Sequence, residues 1–257
     1  MANQPNTGSL KRGVLLLKAL ATASANGLAL TEVSGRAGTP HPSTHRVLGQ
    51  LIDEGLVEYV PATRRYRLGP LAFELGLAGS LLHDIRDLCR EPMAELSIET
   101  EDTVYLVVRS GYEAVCVHRI EGTYPIRTLV LEVGSRRPLG VGAGGLAILS
   151  AIEPDECELI IARVAPALKP FGKLTTRSLF EATADTRESG VAVVRDVVTF
   201  GVTGVGVPFR NAAGQPIAAL SIAALSQRMT PRRVQRIAQS LRSAAAAVER
   251  RLRSTGR

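Results

Sequence analysis

The stretch TEVSGRAGTPHPSTHRVLGQLI, residues 31–52, constrains this chain more than any other. It reads as two short helices around a tight turn. Thr31 is a good N-cap, and Glu32 sits in the first turn, where a helix N-terminus favours negative charge. Gly38 stands where a left-handed cap residue is wanted. Pro42 suits the first position of the second helix, since its missing N–H costs nothing there. At about 100° per residue, Thr44, Val47, Leu48, Leu51 and Ile52 share one side of that helix. Ser43, Arg46, Gly49 and Gln50 share the other, with His45 at the edge. The outer face is short, polar and cationic, and such a face can meet base edges and phosphates. Taken alone, the segment is equally an amphipathic hairpin on a solvated surface.

Its surroundings favour a DNA-reading module. Residues 1–8 are polar and predict a disordered tail. A helix is expected from Ser9 to about Ser24, with Leu10, Val14, Leu17 and Ala21 on its inward stripe. After Gly55, residues 56–60 and 66–68 read as two short strands joined through Arg64 and Arg65, a basic-tipped wing whose arginines could touch phosphate or enter a minor groove. The module spans 9–69, followed by an apolar linker helix over 70–84 and a second domain over 85–257. A linker that apolar predicts packing on a partner subunit. An interruption is expected before Pro92.

Charge follows the same division. Residues 1–80 hold 8 Lys/Arg and 5 Asp/Glu, residues 81–227 hold 14 and 18, and residues 228–257 hold 9 and 1. The basic head suits a polyanion; the acidic middle does not. The Arg-rich last helix reads as a solvated face over an apolar stripe of Val234, Ile237, Leu241, Ala245, Val248 and Leu252. Aromatics make up only 4%, which argues against stacking of single-stranded bases. Cys89, Cys116 and Cys157 are widely spaced and form no CxxC pair, so a disulfide framework and a structural zinc site are both disfavoured. Neither a signal-like apolar N-terminus nor a membrane-length apolar run is present, and a cytoplasmic protein without a membrane partner is expected.

The second domain reads as strands at 103–109, 114–120 and 126–132, helices after Gly145, over 154–165 and over 179–190, strands near 191–194, 202–209 and 217–224, and a helix from Pro231. Hairpins mixed with helices, without βαβ alternation, make an α+β class with an antiparallel sheet. The run LGVGAGGLAIL lacks the Lys-Ser/Thr of a P-loop, and its glycines match a dinucleotide fingerprint only by letter. It does place bare amides of Ala143, Gly144 and Gly145 at a helix N-terminus, a site for a carboxylate or other small anion, or else a tight packing turn. Cys116 and His118 are expected on one side of a strand, too few for a metal site. No nucleophile motif is present. An enzyme or binding protein with an accessory basic module would rest on His118, Asp196 and Ser221, which no spacing ties together. No catalytic residue, cofactor or metal is assigned.

From Ser9 to Leu252 the chain resembles the IclR family of bacterial transcription regulators. GTPHPSTHRVLGQLIDEGLVEY followed by PATRRYRLG looks like its helix-turn-helix and wing. GSRRPLGVGAGGLAIL and SGVAVVRDVVTFGVTGVGVPFRNAAGQPIAALSIAA are similar to its effector domain in order and spacing. The resemblance implies a winged helix-turn-helix joined to a GAF-like α+β sensor, assembled as a homodimer or homotetramer on a pseudo-palindromic DNA operator and modulated by a small organic acid. DNA contacts then fall to Pro42, Ser43, His45, Arg46, Gln50, Arg64 and Arg65. By position, the effector pocket falls on Leu129, Ala143, Gly144, Val194, Val202, Gly204, Ser221 and Ala223, with the amide of Gly145 beside them. The chain departs from the family's pattern where Arg64 replaces a wing glycine and Pro42 a serine. It departs again where Val194 replaces an acid, Ala223 a second serine and Leu146 a lysine. The pocket is therefore expected to be less polar and to take an aromatic or branched carboxylic acid, its carboxylate on the amides of Ala143 to Gly145 and the Ser221 hydroxyl. Whether the regulator represses or activates depends on where its operator lies.

Overall fold

A computed structural model describes residues 8–23, 26–78 and 80–254. Except for Gly8, the tail read at 1–8 lies outside the described residues, as does Ser24. The chain divides into two units, Met1–His83 and Asp84–Arg257.

In the first unit, α1 (Ser9–Leu20), α2 (Leu30–Ala37) and α3 (His41–Asp53) precede a hairpin of β1 (Val57–Val60) and β2 (Arg65–Leu68). Leu16, Leu20, Leu28, Val33, Val47, Leu48, Val57 and Tyr66 form the core. The inward stripe of α1 differs from the expected one. Leu10 is 83% exposed, and Val14 and Ala21 are exposed as well; Gly13, Leu16, Ala19 and Leu20 face inward, with Leu17 half-buried. Gly13 faces α3, where a Cβ would stand in ordinary contact with Leu51 (3.8 Å) and Val47 (3.9 Å). The start of α2 also differs. Its N-cap is Ala29, not Thr31, and Glu32 reaches back to accept from the Ala29 N–H at 2.7 Å. Gly38 closes α2 in the left-handed conformation at φ 61°, as expected. Pro42 is the second residue of α3, since the helix begins one residue earlier, at His41. Leu28 exchanges two backbone hydrogen bonds with Tyr66 (2.9 and 2.8 Å), adding a bridge to the wing hairpin.

A helix α4 (Pro70–Ala78) follows, and α5 (Ser80–Thr100) runs through Pro92 without a break. The second unit contains β3 (Thr103–Ser110), β4 (Glu113–Ile120), β5 (Arg136–Pro138), α6 (Gly142–Ser150), α7 (Pro154–Val164), a 3-10 turn (Ala165–Phe171), α8 (Thr176–Ser189), β6 (Ala192–Arg195), β7 (Val202–Arg210), β8 (Pro216–Leu225) and α9 (Pro231–Ser254). The six strands make one antiparallel sheet in the order β5-β4-β3-β8-β7-β6.

Strand alternation gives this sheet two different faces. Val104, Leu106, Val108, Leu220, Ile222 and Ala224 pack with α5 and α9. Tyr105, Val107, Ala219 and Ala223 face the other way, toward α6 and α7. The apolar stripe of α9 is buried, and its arginines lie outside, where Arg251 pairs with Glu91 at 3.0 Å and Arg233 with Asp102 at 2.8 Å.

Two expectations fail here. Residues 126–132 form no strand; β5 lies at 136–138 instead. The segment is a strap whose backbone is held by side chains rather than by a ladder. The Tyr105 hydroxyl donates to the Thr128 carbonyl (2.5 Å) and accepts from the Val130 N–H (3.1 Å). Arg119 donates to the Leu131 carbonyl (3.1 Å), and Arg137 to that of Val130 (2.6 Å). Nor do Cys116 and His118 share a side. Leu106 pairs with His118 and Val107 with Cys116, so a bulge inserts an extra residue and reverses the alternation between them. Cys116 turns toward α6, while the charged neighbours of His118 are Arg86, Asp87 and Arg90 on α5.

Candidate functional site

Two places concentrate the residues singled out above. The first is the outer face of α3. Thr44, Val47 and Leu48 anchor the helix inward, leaving Pro42, His45, Arg46 and Gln50 exposed. The Thr44 hydroxyl lies 3.1 Å from the Pro40 carbonyl and 2.6 Å from the Thr39 hydroxyl, tying the turn to the first turn of α3. Ser43 is half-buried and accepts from Arg12 at 3.2 Å, so this serine also fixes α1 against α3. At the wing, Arg64 is exposed and holds a left-handed backbone, φ 54°. Arg65 turns back into its own unit, donating to the Gly27 carbonyl at 2.9 Å and pairing with Glu32 at 3.1 Å. The same Glu32 caps α2, so Arg65 ties wing to helix-turn-helix.

The second is a cavity between the sheet and the N-terminus of α6. It measures about 60 Å³ on a scale where one water needs roughly 10–15 Å³, room for a small molecule rather than a single water. Small residues bring α6 close. A Cβ at Gly204 would lie 3.0 Å from the Ala143 Cβ, and one at Gly206 only 2.5 Å from the Ala143 carbonyl oxygen. Gly142 at φ 79° and Gly140 at φ 100° make the turn that aims the helix. Its first-turn amides have no acceptor within the helix and carry the positive end of its dipole. Val194, Val198 and Val202 make an apolar wall of the same cavity.

Eight of the nine expected pocket residues line this cavity: Ala143, Gly144, Gly145, Val194, Val202, Gly204, Ser221 and Ala223. Leu129 does not; it is 48% exposed, and its strap neighbours Val130 and Leu131 line the cavity in its place. Sequence reasoning missed Tyr105, Cys116 and Arg137. The alternation of β3 could have found Tyr105, which faces the same way as Val107. Ser221 is 6% exposed and lines the cavity, and among the described residues its hydroxyl has no hydrogen-bond partner. Burial pushes the Cys116 thiol up to about 11 and the Tyr105 phenol up to about 12, so both stay neutral. Burial also lowers the pKa of Arg137.

His118, Asp196 and Ser221 do not form a reactive set. His118 faces α5, and the Asp196 carboxylate accepts from the Gly201 N–H (2.8 Å) and the Ser226 hydroxyl (2.9 Å), closing its own loop.

Comparison with known proteins decides between the two readings. Residues 9–61 match the IclR helix-turn-helix domain, and residues 81–250 match the bacterial transcriptional regulator IclR C-terminal domain. The chain belongs to the IclR family. It is a DNA-binding transcriptional regulator and not an enzyme, and the fold is the family's helix-turn-helix followed by an α+β domain. KipR of Bacillus subtilis is 30% identical over 226 residues, covering 88% of this chain and 90% of KipR. The transcriptional repressor IclR of Escherichia coli is 26% identical over 242 residues, covering 91% and 87%. Among solved structures, an IclR homolog of Microbacterium hydrocarbonoxydans complexed with 4-hydroxybenzoate shares the fold. Its TM-score is 0.74 at 24% identity, with 96% of this chain and 100% of that one covered. Among the described residues no helix is long and apolar enough to cross a membrane.

Proposed function

We propose that this IclR-family regulator is controlled by a small, largely apolar organic acid, aromatic or branched, bound at the N-terminus of α6. The observation that carries the reading is the cavity itself, a largely apolar space with helix amides and the unpartnered Ser221 hydroxyl at one end. The 4-hydroxybenzoate held by the Microbacterium homolog supports this ligand class. Ligand binding on this reading shifts occupancy of a pseudo-palindromic operator by a dimer or tetramer. Pro42, His45, Arg46 and Gln50 face the major groove, with Ser43 beside them, and Arg64 meets the backbone or minor groove. Arg65 supports the wing from behind.

Two measurements test the reading. Changing Arg46 to alanine is expected to weaken operator binding by about 1–3 kcal/mol while leaving ligand affinity unchanged; equal DNA binding by that variant counts against the α3 assignment. In a thermal-shift panel, aromatic and branched acids are expected to raise the melting temperature. Stabilisation by short hydroxy- or keto-acids alone would sink the pocket reading.

A further inference from the structure

We propose that Arg137 selects a carboxylate in this pocket, exchanging its bond to the Val130 carbonyl for a pair with the ligand's anion. The inference rests on the organic-acid reading above and goes beyond it, since neither the helix amides nor Ser221 requires an arginine.

Arg137, the central residue of β5, lines the cavity. Its Nη1 lies 3.6 Å from where a Cβ on Gly142 would stand, so the guanidinium sits beside the first residue of α6. Two sources of positive potential, a helix N-terminus and an arginine, therefore converge on one end of an apolar space. Neighbouring arginines on the same part of the sheet are compensated: Arg119 pairs with Glu121 at 2.9 Å, and Arg136 with Glu113 at 2.9 Å. Among the described residues, Arg137 has no carboxylate within 4.0 Å. Its partners are the Val130 carbonyl at 2.6 Å and the ring of Phe171, whose centroid is 5.9 Å from Cζ. A half-buried cation with only a carbonyl and a ring is electrostatically incomplete, and an anion entering the cavity completes it. The planar fork of an arginine matches two carboxylate oxygens, whereas a neutral amide of the same shape cannot form a charged pair. Ser221, buried and without a partner, supplies a further donor beside α6, its hydroxyl 3.3 Å from where a Cβ on Gly144 would stand.

The test compares isosteric acids and amides, benzoate with benzamide and 4-hydroxybenzoate with 4-hydroxybenzamide, by calorimetric titration of the full-length protein. The native protein is expected to bind an acid at least tenfold more tightly than its amide. Arg137→Gln keeps a donor for the Val130 carbonyl but removes the charge, and it is expected to cut that preference at least fivefold through weaker acid binding, with amide affinity held within threefold. Arg137→Met is a second neutral variant in case glutamine disturbs folding, as judged by melting curves, and Arg137→Lys should restore part of the preference. A neutral variant that keeps the native preference, or loses acid and amide alike, overturns the role of Arg137 and leaves the pocket reading standing. A native protein that binds none of the acids, or does not prefer them to their amides, overturns the pocket reading itself.

Discussion

Replacing Gly206 with alanine probes the contact that locates the whole pocket. The added Cβ would meet the Ala143 carbonyl oxygen at 2.5 Å and its carbonyl carbon at 2.7 Å, where ordinary contact begins at 3.4 Å. The obstacle is helix backbone, so no side-chain rotation relieves it, and α6 would have to withdraw by about 0.9 Å from a sheet on which it is almost entirely buried. Overpacking in a rigid core costs about 1–3 kcal/mol, and a backbone obstacle places this case near the upper end. At roughly 2–4 °C per kcal/mol for a domain of this size, the melting temperature is expected to fall by about 6–12 °C. The amides of Ala143 and Gly144 move with the helix, so the acid should also bind at least tenfold more weakly in calorimetric titration. A Gly206→Ala protein that melts within 2 °C of native and binds the acid with native affinity would refute the idea that this contact positions α6.

Further outcomes follow from other parts of the chain. Arg64→Gly removes a left-handed non-glycine residue, a gain of about 1–2 kcal/mol, against about 0.5–1 kcal/mol for glycine's greater unfolded freedom. Chemical denaturation should therefore show a net gain of about 0–1.5 kcal/mol, while operator binding weakens and its logarithmic salt slope loses about one phosphate contact. Asp102 is only 4% exposed and neutralises Arg233 at 2.8 Å, with Arg228 at 3.7 Å stacked on Tyr124. Asp102→Ala strands these cations and should cost about 3 kcal/mol in urea unfolding, whereas Glu101→Ala, at a carboxylate 58% exposed, should cost less than about 1 kcal/mol. The Cys116 thiol, raised from 9.0 to about 11, should alkylate with iodoacetamide at pH 8 roughly a hundredfold more slowly than a free thiol on thiolate fraction alone. Raising the pH toward 11 should accelerate it, and rapid reaction at pH 8 would contradict the burial of this thiol.

The two sites differ in how far the sequence disclosed them. Helix-turn-helix, wing and the Gly-rich start of α6 were legible because each rests on local chemistry: Gly38 in a left-handed cap, a helical period from Thr44 to Ile52, bare amides after Gly142. The strap was not legible. IRTLVLE alternates like a strand, but its carbonyls are taken by Tyr105, Arg119 and Arg137, and no local pattern announces side-chain tethers that far away. The reversal between Cys116 and His118 was hidden for a related reason, since a bulge is set by the facing strand. The inward face of α1 was misjudged because LKRGVLLLKAL offers apolar residues on several sides, and only the packing of α3 selects Leu16, Ala19 and Leu20 over Leu10 and Val14. Arg137 escaped notice because nothing in GSRRP sets it apart from Arg136, which pairs with Glu113 instead, until β5 is placed beside the cavity.

The closeness of α6 to β7 also divides the pocket into parts with different freedom to change. Gly204, Gly206 and Gly144 form a tight floor: a methyl group at Gly206 meets helix backbone at 2.5 Å, and one at Gly204 or Gly144 forces its neighbours to give. Val194, Val198 and Val202 line the cavity with half-buried side chains and carry no such backbone contact, so substitution there is expected to leave α6 in place. Altered ligand preference should therefore be reached through the valine wall and Arg137, and libraries aimed at new effectors gain by randomising those positions while leaving the glycine floor untouched.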